Sequence, residues 1–302
     1  MRRSIPRRKL HKQESQSVLW FMIAPFLILF GLFTILPILS SVVLSFFNYD
    51  MISFPKFSGF GNYLRMFLGD NVFLTSIRNT MVLAVVSGPL SFVLAFLLAW
   101  GINEFSPITR SLLSFLFYSP ALTGNVYFIW MVLFSGDSYG YINSLLLSMG
   151  MITQPVQWLK DPNYTLIIVM IVQLWLSLGV TFLANIAGLQ NVNTELYEAG
   201  AIDGITNRWQ EMWYITLPSM RSILLFGCVM QIQSTFSVSG VATALTGSPS
   251  VNYSTETIVT HLAEVGTVRF EMGYAAAISV FLFAIMAVTR ILVGKLLDMA
   301  GK

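Results

Sequence analysis

The chain has 302 residues, of which 55% are hydrophobic and only 10% are charged, far below the roughly 25% charged residues of an average soluble domain. Its mean hydropathy is +0.71 and its formal net charge is +3. This composition excludes an ordinary soluble globular domain, and so small a net charge says little about partners. The single cysteine, Cys228, excludes an intrachain disulfide and is predicted to be a small buried apolar residue.

The charged residues cluster and leave long charge-free runs between them. Six of these runs can each supply the roughly 17 to 25 residues that a membrane helix requires. A further run, 138–159, has too short an apolar stretch to span and is predicted to be an external, interfacial segment. We therefore predict an all-α, polytopic membrane protein with six transmembrane helices, at about 18–47, 79–102, 110–134, 163–189, 219–241 and 272–294.

Proline residues predict irregularities within these spans. Pro25 and Pro37 predict a kinked or broken first span, and Pro89 predicts a kink in the second. In the third span, Pro120 is followed by polar residues, among them Thr123.

The distribution of Lys and Arg predicts the orientation. Residues 1–16 form a basic tail ahead of a transmembrane domain at 17–302. A cytoplasmic tail places twelve of the seventeen basic residues inside and five outside, as the positive-inside rule expects. Six spans then place both termini in the cytoplasm and put the segments 50–78, 135–161 and 242–271 outside.

A polar island, residues 195–218, interrupts the apolar sequence between the fourth and fifth spans. Asn193 or Thr194 can cap a helix whose first turn carries Glu195 and Glu198, which are favourable near a helix N-terminus. Gly204 then permits a sharp turn. The island is therefore predicted to be a built surface, which suggests a docking site.

The second half of the polar island also predicts a short helix. Asn207, with Gln210 three residues later, has the character of a capping box. The spacing of Trp209, Met212 and Trp213 places the three side chains on one helical face. Pro218 fits the start of the fifth span, where its missing N–H costs nothing.

The polar island resembles the EAA loop of importer-type ABC permeases. The resemblance rests on Glu198-Ala199-Gly200, on Asp203-Gly204 and on the ending Ile215-Thr216-Leu217-Pro218. Its Ile202-Asp203-Gly204 run and its ITLP ending are most similar to the carbohydrate-uptake, maltose-type branch. Two features depart from the family pattern: Gly200 replaces an Ala, and ten residues, against the usual nine, separate Gly204 from Ile215.

The resemblance implies that the chain forms half of the channel of an importer for a sugar or oligosaccharide in a bacterial or archaeal cell membrane. Its implied partners are a second homologous permease subunit, an ABC ATPase dimer, and an extracytoplasmic solute-binding protein. The segment 190–218 would be the cytoplasmic coupling loop, seated in a cleft of the ATPase, which binds the ATP and magnesium. The implied coupling residues are Glu198, Ala199, Gly200, Asp203, Gly204, Leu217 and Pro218.

The sequence gives little support to catalysis by the chain itself. It has no Gly-x-x-x-x-Gly-Lys-Ser/Thr phosphate loop and no His or Cys cluster with metal-ligand spacing. His11 and His261 are predicted to be solvated, and no catalytic, cofactor-binding or metal residue is predicted. The predicted spans have essentially no ionisable groups, which disfavours a proton- or sodium-coupled carrier. A secondary carrier and a membrane-embedded enzyme stay as the alternatives.

Polar uncharged residues within the spans are candidates for the solute path, because such groups are better tolerated facing a cavity or the bundle interior. Amides, hydroxyls and aromatic faces suit a sugar. Hydrogen bonding between helices, without a ligand, is the equally weighted alternative for each residue. The candidates are Asn125, Tyr127, Gln173, Trp175, Gln231, Gln233 and Thr235.

Overall fold

The computed structural model describes residues 14–123, 126–236 and 238–300, and this part of the chain is mostly helical. A single pair of two-residue strands in these ranges, β1 (Phe47–Asn48) and β2 (Lys56–Phe57), is antiparallel. The predicted all-α class is therefore correct apart from this short pair. The α-helices are α1 (Glu14–Phe30), α2 (Leu36–Leu44), α3 (Gly61–Leu68), α4 (Asn71–Asn103), α5 (Pro107–Leu122), α6 (Tyr127–Leu133), α7 (Tyr141–Ser148), α8 (Pro162–Leu176), α9 (Gly179–Gln190), α10 (Thr194–Ile202), α11 (Arg208–Glu211), α12 (Leu217–Ser219), α13 (Arg221–Phe236), α14 (Ser239–Thr246), α15 (Ile258–Ala263) and α16 (Met272–Ala300).

Among the described residues, five helical stretches are long and apolar enough to cross a membrane, and a sixth is added if α5 and α6 count as one bent span. Length and composition thus support a multi-pass membrane protein. The stretches are Trp20–Leu44, Asn71–Asn103, Pro162–Gln190, Arg221–Thr246 and Met272–Lys295, with Pro107–Leu122 and Tyr127–Leu133 as the bent pair.

The predicted third span at 110–134 is divided between two helices, α5 and α6. The helix ends at Leu122, where Thr123 takes an extended conformation, and the axes of α5 and α6 differ by 91°. Pro120 has no N–H to donate to the carbonyl one turn back, which is the physical reason for a weak point here. The hydroxyl of Ser119 donates instead to that carbonyl, of Leu116, at 2.9 Å.

Two helices continue beyond the predicted span boundaries. Helix α4 begins at Asn71, ahead of the predicted boundary at 79, and Asp70 accepts a hydrogen bond from the Phe73 N–H at 2.9 Å. The helical stretch of the predicted fifth span continues beyond 241 as α14. The first span is not broken, since a π turn at Gly31–Ile35 joins α1 to α2, and α4 continues as one helix through Pro89.

Helix α4 lies at the centre of the fold. It packs against α8, α9, α13 and α15, and also contacts α3 and α5. Near one end, Phe96, Phe182 and Met212 belong to one buried cluster that joins α4 to α9 and to the polar island. At the other end, Phe73 is fully buried against α15 and α16. A movement of α4 therefore affects most of the molecule.

His261 is buried in the fold, so the prediction of a solvated side chain is wrong. It has no exposed surface, and its Nε2 lies 2.9 Å from Oδ2 of Asp70. The Tyr274 hydroxyl donates to the same oxygen at 2.7 Å. Asp70 thus caps α4 and also joins it to α15 and α16, a role that depends on residues far apart in sequence.

Candidate functional site

The first helix of the polar island, α10, is capped as predicted. The Asn193 side-chain oxygen accepts a hydrogen bond from the Glu195 N–H at 3.1 Å, and its amide donates to the Glu195 carboxylate at the same distance. Glu195 stands in the first turn, where a negative charge is favoured by the helix dipole. The entry into the island is therefore fixed by local sequence.

Gly204 ends this helix in the way the sequence predicts. Its φ is +93°, in the left-handed region that favours glycine. The Ile205 N–H donates to the Gly200 carbonyl at 2.9 Å, and the Gly204 N–H donates to the Ala201 carbonyl at 3.3 Å. This pair of bonds is the Schellman motif, which satisfies carbonyls left free at a helix end. Beyond this turn the chain comes back to α10, where residues of Met212–Thr216 contact the helix.

Gly200 is buried, and its lack of a side chain has a packing reason. A Cβ at this position would lie 2.6 Å from Cδ1 of Ile215 and 3.1 Å from Cδ1 of Ile205. The two isoleucines occupy the space that the family's alanine would take. The replacement of Ala by Gly is therefore matched by closer packing between the two halves of the island.

A π turn connects α11 to α12. Residues Met212–Thr216 form this turn, and the Leu217 N–H donates to the Met212 carbonyl five residues back. Ile215, within the turn, fills the space beside Gly200.

The second helix of the island departs from two predictions. Asn207 caps α11 by accepting from the N–H groups of Trp209 and Gln210, at 2.8 and 3.0 Å. The Gln210 side chain, however, accepts from Thr206 N–H at 3.0 Å rather than from Asn207, so no capping box forms. Met212 is buried while Trp209 and Trp213 are exposed, so the three side chains do not share one buried face. Pro218 lies in the separate short helix α12, ahead of the fifth span.

An ion-pair network joins the polar island to the end of the second span. The Arg208 guanidinium lies 2.7 Å from the carboxylate of Glu104 and 2.7 Å from that of Glu211. The hydrogen bond to Glu211 raises the pKa of Arg208. Beside this network the rings of Trp100 and Trp209 are 5.4 Å apart. A polar cavity of about 520 Å³ lies between the same elements.

The exposed tip of the island carries the predicted coupling residues together with one that the sequence did not single out. Glu198, Ala199, Asp203 and Gly204 are all exposed, whereas Gly200 is buried. Ile202, the last residue of α10, is 87% exposed. An apolar side chain so exposed at the end of a capped helix is available to contact a partner. The available signal in the sequence was an isoleucine directly before the Asp-Gly turn.

The remaining predicted coupling residues lie at the far end of the island. Leu217 packs beside the buried cluster shared by α4 and α9, and Pro218 is exposed. The hydroxyls of Tyr197 and Thr216 are 3.0 Å apart and join α10 to the π turn. These residues hold the island on the bundle rather than forming part of its tip.

Of the predicted solute-path residues, three lie within the helix bundle. Gln173 is buried, and its amide nitrogen lies 3.3 Å from the Ser234 hydroxyl. Gln231 is buried with its amide nitrogen unpaired among the described residues. Thr235 is also buried, and its hydroxyl donates to the Gln231 carbonyl at 2.8 Å. The contact between Gln173 and Ser234 joins the fourth and fifth spans, while Gln231 and Thr235 bond within α13.

The other predicted residues lie apart from this group. Gln233 is exposed and lines a groove between α13 and α16, whereas Gln231 is buried. Trp175 is half-buried and its ring lies 5.4 Å from that of Trp130. Tyr127 is half-buried against α14, and Asn125 lies outside the described residues.

Comparison with curated proteins gives relatives that match over most of their length. The chain is 32% identical over 282 residues to the probable ABC transporter permease protein YesP of Bacillus subtilis, covering 90% of this chain and 88% of that protein. It is 30% identical to the lactose transport system permease protein LacF of Rhizobium radiobacter, covering 90% and 91%. No protein-family model matches the chain.

A solved structure shares the fold. A chain from a bacterial ABC transporter involved in the import of the acidic polysaccharide alginate superposes with a TM-score of 0.79 at 23% identity. The match covers 96% of this chain and 98% of that one. The same transporter, solved in complex with an alginate pentasaccharide-bound periplasmic protein, gives an equal TM-score.

Proposed function

The chain belongs to the permease subunits of ABC transport systems, and from that premise we propose that it forms one half of a channel that imports a sugar or oligosaccharide. It has six spans, with the bent pair α5–α6 as the third, and both termini in the cytoplasm. The excess of Lys and Arg on the proposed inner side supports this orientation. A basic tail at 1–16 precedes a single transmembrane domain.

The polar island is the surface that couples the channel to a separate ATPase. The single observation that carries this assignment is Ile202, an apolar side chain exposed at the tip of a doubly capped helical turn. Glu198, Ala199, Asp203 and Gly204 surround it, and Gly200 holds the two halves of the turn together. Leu217 and Pro218 connect the surface to the fifth span. ATP and magnesium bind to the ATPase, while this subunit is non-catalytic.

The solute is a carbohydrate that passes the polar residues of the third, fourth and fifth spans. The unpaired amide of Gln231 is a donor that a sugar hydroxyl would satisfy. Gln173, Thr235, Tyr127 and Trp175 add further amide, hydroxyl and aromatic groups, and Asn125 and Gln233 are assigned to the same path. The naming of relatives for lactose and for arabinooligosaccharides supports the carbohydrate class.

Three partners complete the system. A second, homologous permease forms the other half of the channel, two ATPase subunits dock inside, and a solute-binding protein delivers the sugar outside. The binding protein meets the segments 50–78, 135–161 and 242–271. Membership of the permease family disfavours the alternatives of a secondary carrier and a membrane-embedded enzyme.

The docking assignment is tested by replacing Ile202 with Asp in the tagged, co-expressed complex. A charge at the apolar tip should reduce retention of the ATPase by at least about tenfold, the effect of removing an interface hot spot. Ile108→Asp is the matched control, because this isoleucine is 84% exposed on the first turn of α5, outside the island. Equal retention by wild type and Ile202→Asp would overturn the assignment of the tip.

A further inference from the structure

We propose that Arg208 is a positioning residue that ties the polar island to the cytoplasmic end of α4, so that α4 moves with the island when the ATPase changes state. The inference rests on the proposed coupling function and names a second route by which that function reaches the membrane. The island is joined covalently to the fourth and fifth spans. Arg208 adds a polar contact to the second span, which does not adjoin the island in sequence, beside the buried cluster that already joins α4 to Met212.

The contact consists of one guanidinium shared between two elements. Arg208 reaches Glu211 within the island through Nη1 and Glu104 at the end of α4 through Nη2, each at 2.7 Å. Trp209, next in sequence, places its ring 5.4 Å from that of Trp100 on the last turns of α4. Two adjacent residues of the island therefore hold the same end of one helix.

Helix α4 is suited to carry the movement to the opposite side. It is a single helix of 33 residues, and at its far end Asp70 bonds to His261 and Tyr274. A displacement of its cytoplasmic end therefore reaches α15 and α16 without passing through the sharply bent third span. This external end lies among the segments that the proposed solute-binding protein meets.

The ion pair between Arg208 and Glu104 is exposed, so its role in passing on movement can be tested separately from folding stability. The side chains of Arg208 and Glu104 are 61% and 41% exposed, and pairs so exposed contribute little to folding stability. Loss of the pair should therefore leave the fold intact and change only how movement is passed on. Glu104 also lies outside the residues assigned to the ATPase contact.

The experiment compares Glu104→Gln with Glu211→Gln in the purified permease–ATPase complex. Glu104→Gln removes the bond between island and α4 and keeps the bond within the island, while Glu211→Gln does the reverse. Hydrogen exchange is measured with and without a non-hydrolysable ATP analogue. Exchange is followed at two reporters. The first is the first turns of α4, at its external end. The second is α14, which forms the external end of the fifth span, the span that adjoins the island in sequence.

In wild type and in Glu211→Gln, the ATP analogue should change exchange at both reporters. In Glu104→Gln the change should be weakened at α4 and kept at α14, with unchanged ATPase retention. Trp100→Leu, which removes the neighbouring ring contact, should weaken the α4 response in the same direction.

An undiminished α4 response in both Glu104→Gln and Trp100→Leu would overturn the inference and leave the coupling function standing. An equal loss at α4 in Glu104→Gln and Glu211→Gln would also overturn it. A wild-type permease that retains no ATPase would overturn the proposed function itself, and the inference with it.

Discussion

Gly200 illustrates how the absence of one side chain sets the geometry of a surface. The space beside it is filled by Ile205 and Ile215, which come from the turn and from the following π turn. Its low helix propensity, roughly 1 kcal/mol below that of alanine, is offset by the burial of these two side chains. The exposed residues of the tip thus rest on a packed layer directly beneath them.

Glu256 is a buried acidic residue that lies outside the proposed spans. It is 2% exposed, and its Oε1 has no hydrogen-bond partner among the described residues. Burial raises its pKa, with a further rise from Glu264 that Thr260 and His261 partly oppose. A carboxyl with a raised pKa stabilises the fold below its unfolded pKa, and this contribution is lost as pH rises through the folded pKa.

We therefore expect Glu256→Gln to raise Tm by a few degrees at alkaline pH. The reason is that burying an ionised carboxylate without a partner is costly, whereas the glutamine amide carries no charge. The gain should shrink as pH falls through the raised pKa of Glu256, because the wild-type carboxyl then becomes neutral. Thermal unfolding across a range of pH values measures the difference in Tm between the two proteins.

Glu198→Gln, at an exposed position, should give no such pH-dependent gain. A gain for Glu256→Gln that is independent of pH would contradict the assignment. Asp70 does not interfere in this range: burial acts to raise its pKa, but hydrogen bonds from the Phe73 N–H and Tyr274 bring it below the usual value.

The role of a residue can be predicted from the sequence when its bonding partners lie close to it along the chain. Asn193 and Asn207 cap helices through backbone groups two or three residues away, so their roles follow from local spacing. His261 pairs with Asp70 across 191 positions, and no local pattern reports such a contact. Ile202 was missed for a related reason, since its exposure follows from the way α11 folds back.

At the scale of elements, Asn143 makes five of the side-chain hydrogen bonds that close the segment between α6 and α8. Asn143 is fully buried in α7, and its amide donates to the carbonyls of Ser135, Asp137 and Val156 at 3.0–3.1 Å. Its oxygen accepts from the N–H of Val156 and from the indole of Trp158. A segment with little regular structure is thereby closed into a compact unit.

Asn143→Leu should open this unit while leaving the rest of the bundle folded. It leaves several buried polar groups unpaired, at a cost on the order of 3 kcal/mol. Hydrogen exchange or limited proteolysis should show a loss of protection confined to 135–158. The same change at the exposed Asn163, which makes only local bonds with Asp161, is the control and should have no such effect. Unchanged protection in Asn143→Leu would contradict this role.

The elements themselves were predicted more reliably than their ends and bends. Apolar runs identify the spans because any membrane-crossing helix needs them. They do not identify where a helix continues past a charged residue, as α4 does around Arg78. Nor does the sequence give the size of a bend: Pro120 marks the weak point in the third span, but the angle of 91° depends on what α6 packs against.

At the scale of the whole molecule, the bend between α5 and α6 determines on which side of the membrane the later segments of the chain lie. If α5 and α6 together cross the membrane, the chain has six spans and the polar island lies on the same side as the N-terminus. If they enter and return on one side, the chain has five spans and the island lies opposite. The ATPase assignment requires the first arrangement.

Single cysteines in a Cys228→Ser background distinguish the two arrangements. Ile52→Cys and Tyr139→Cys, at positions over 90% exposed, flank the second and third spans, and Ile202→Cys marks the island. With six spans, a membrane-impermeant maleimide should label Ile52→Cys and Tyr139→Cys from outside and Ile202→Cys only after permeabilisation. With five, Tyr139→Cys and Ile202→Cys exchange their behaviour while Ile52→Cys stays unchanged. The basic tail favours six, because the five-span arrangement would move Arg208 and Arg221 outside, against the positive-inside rule.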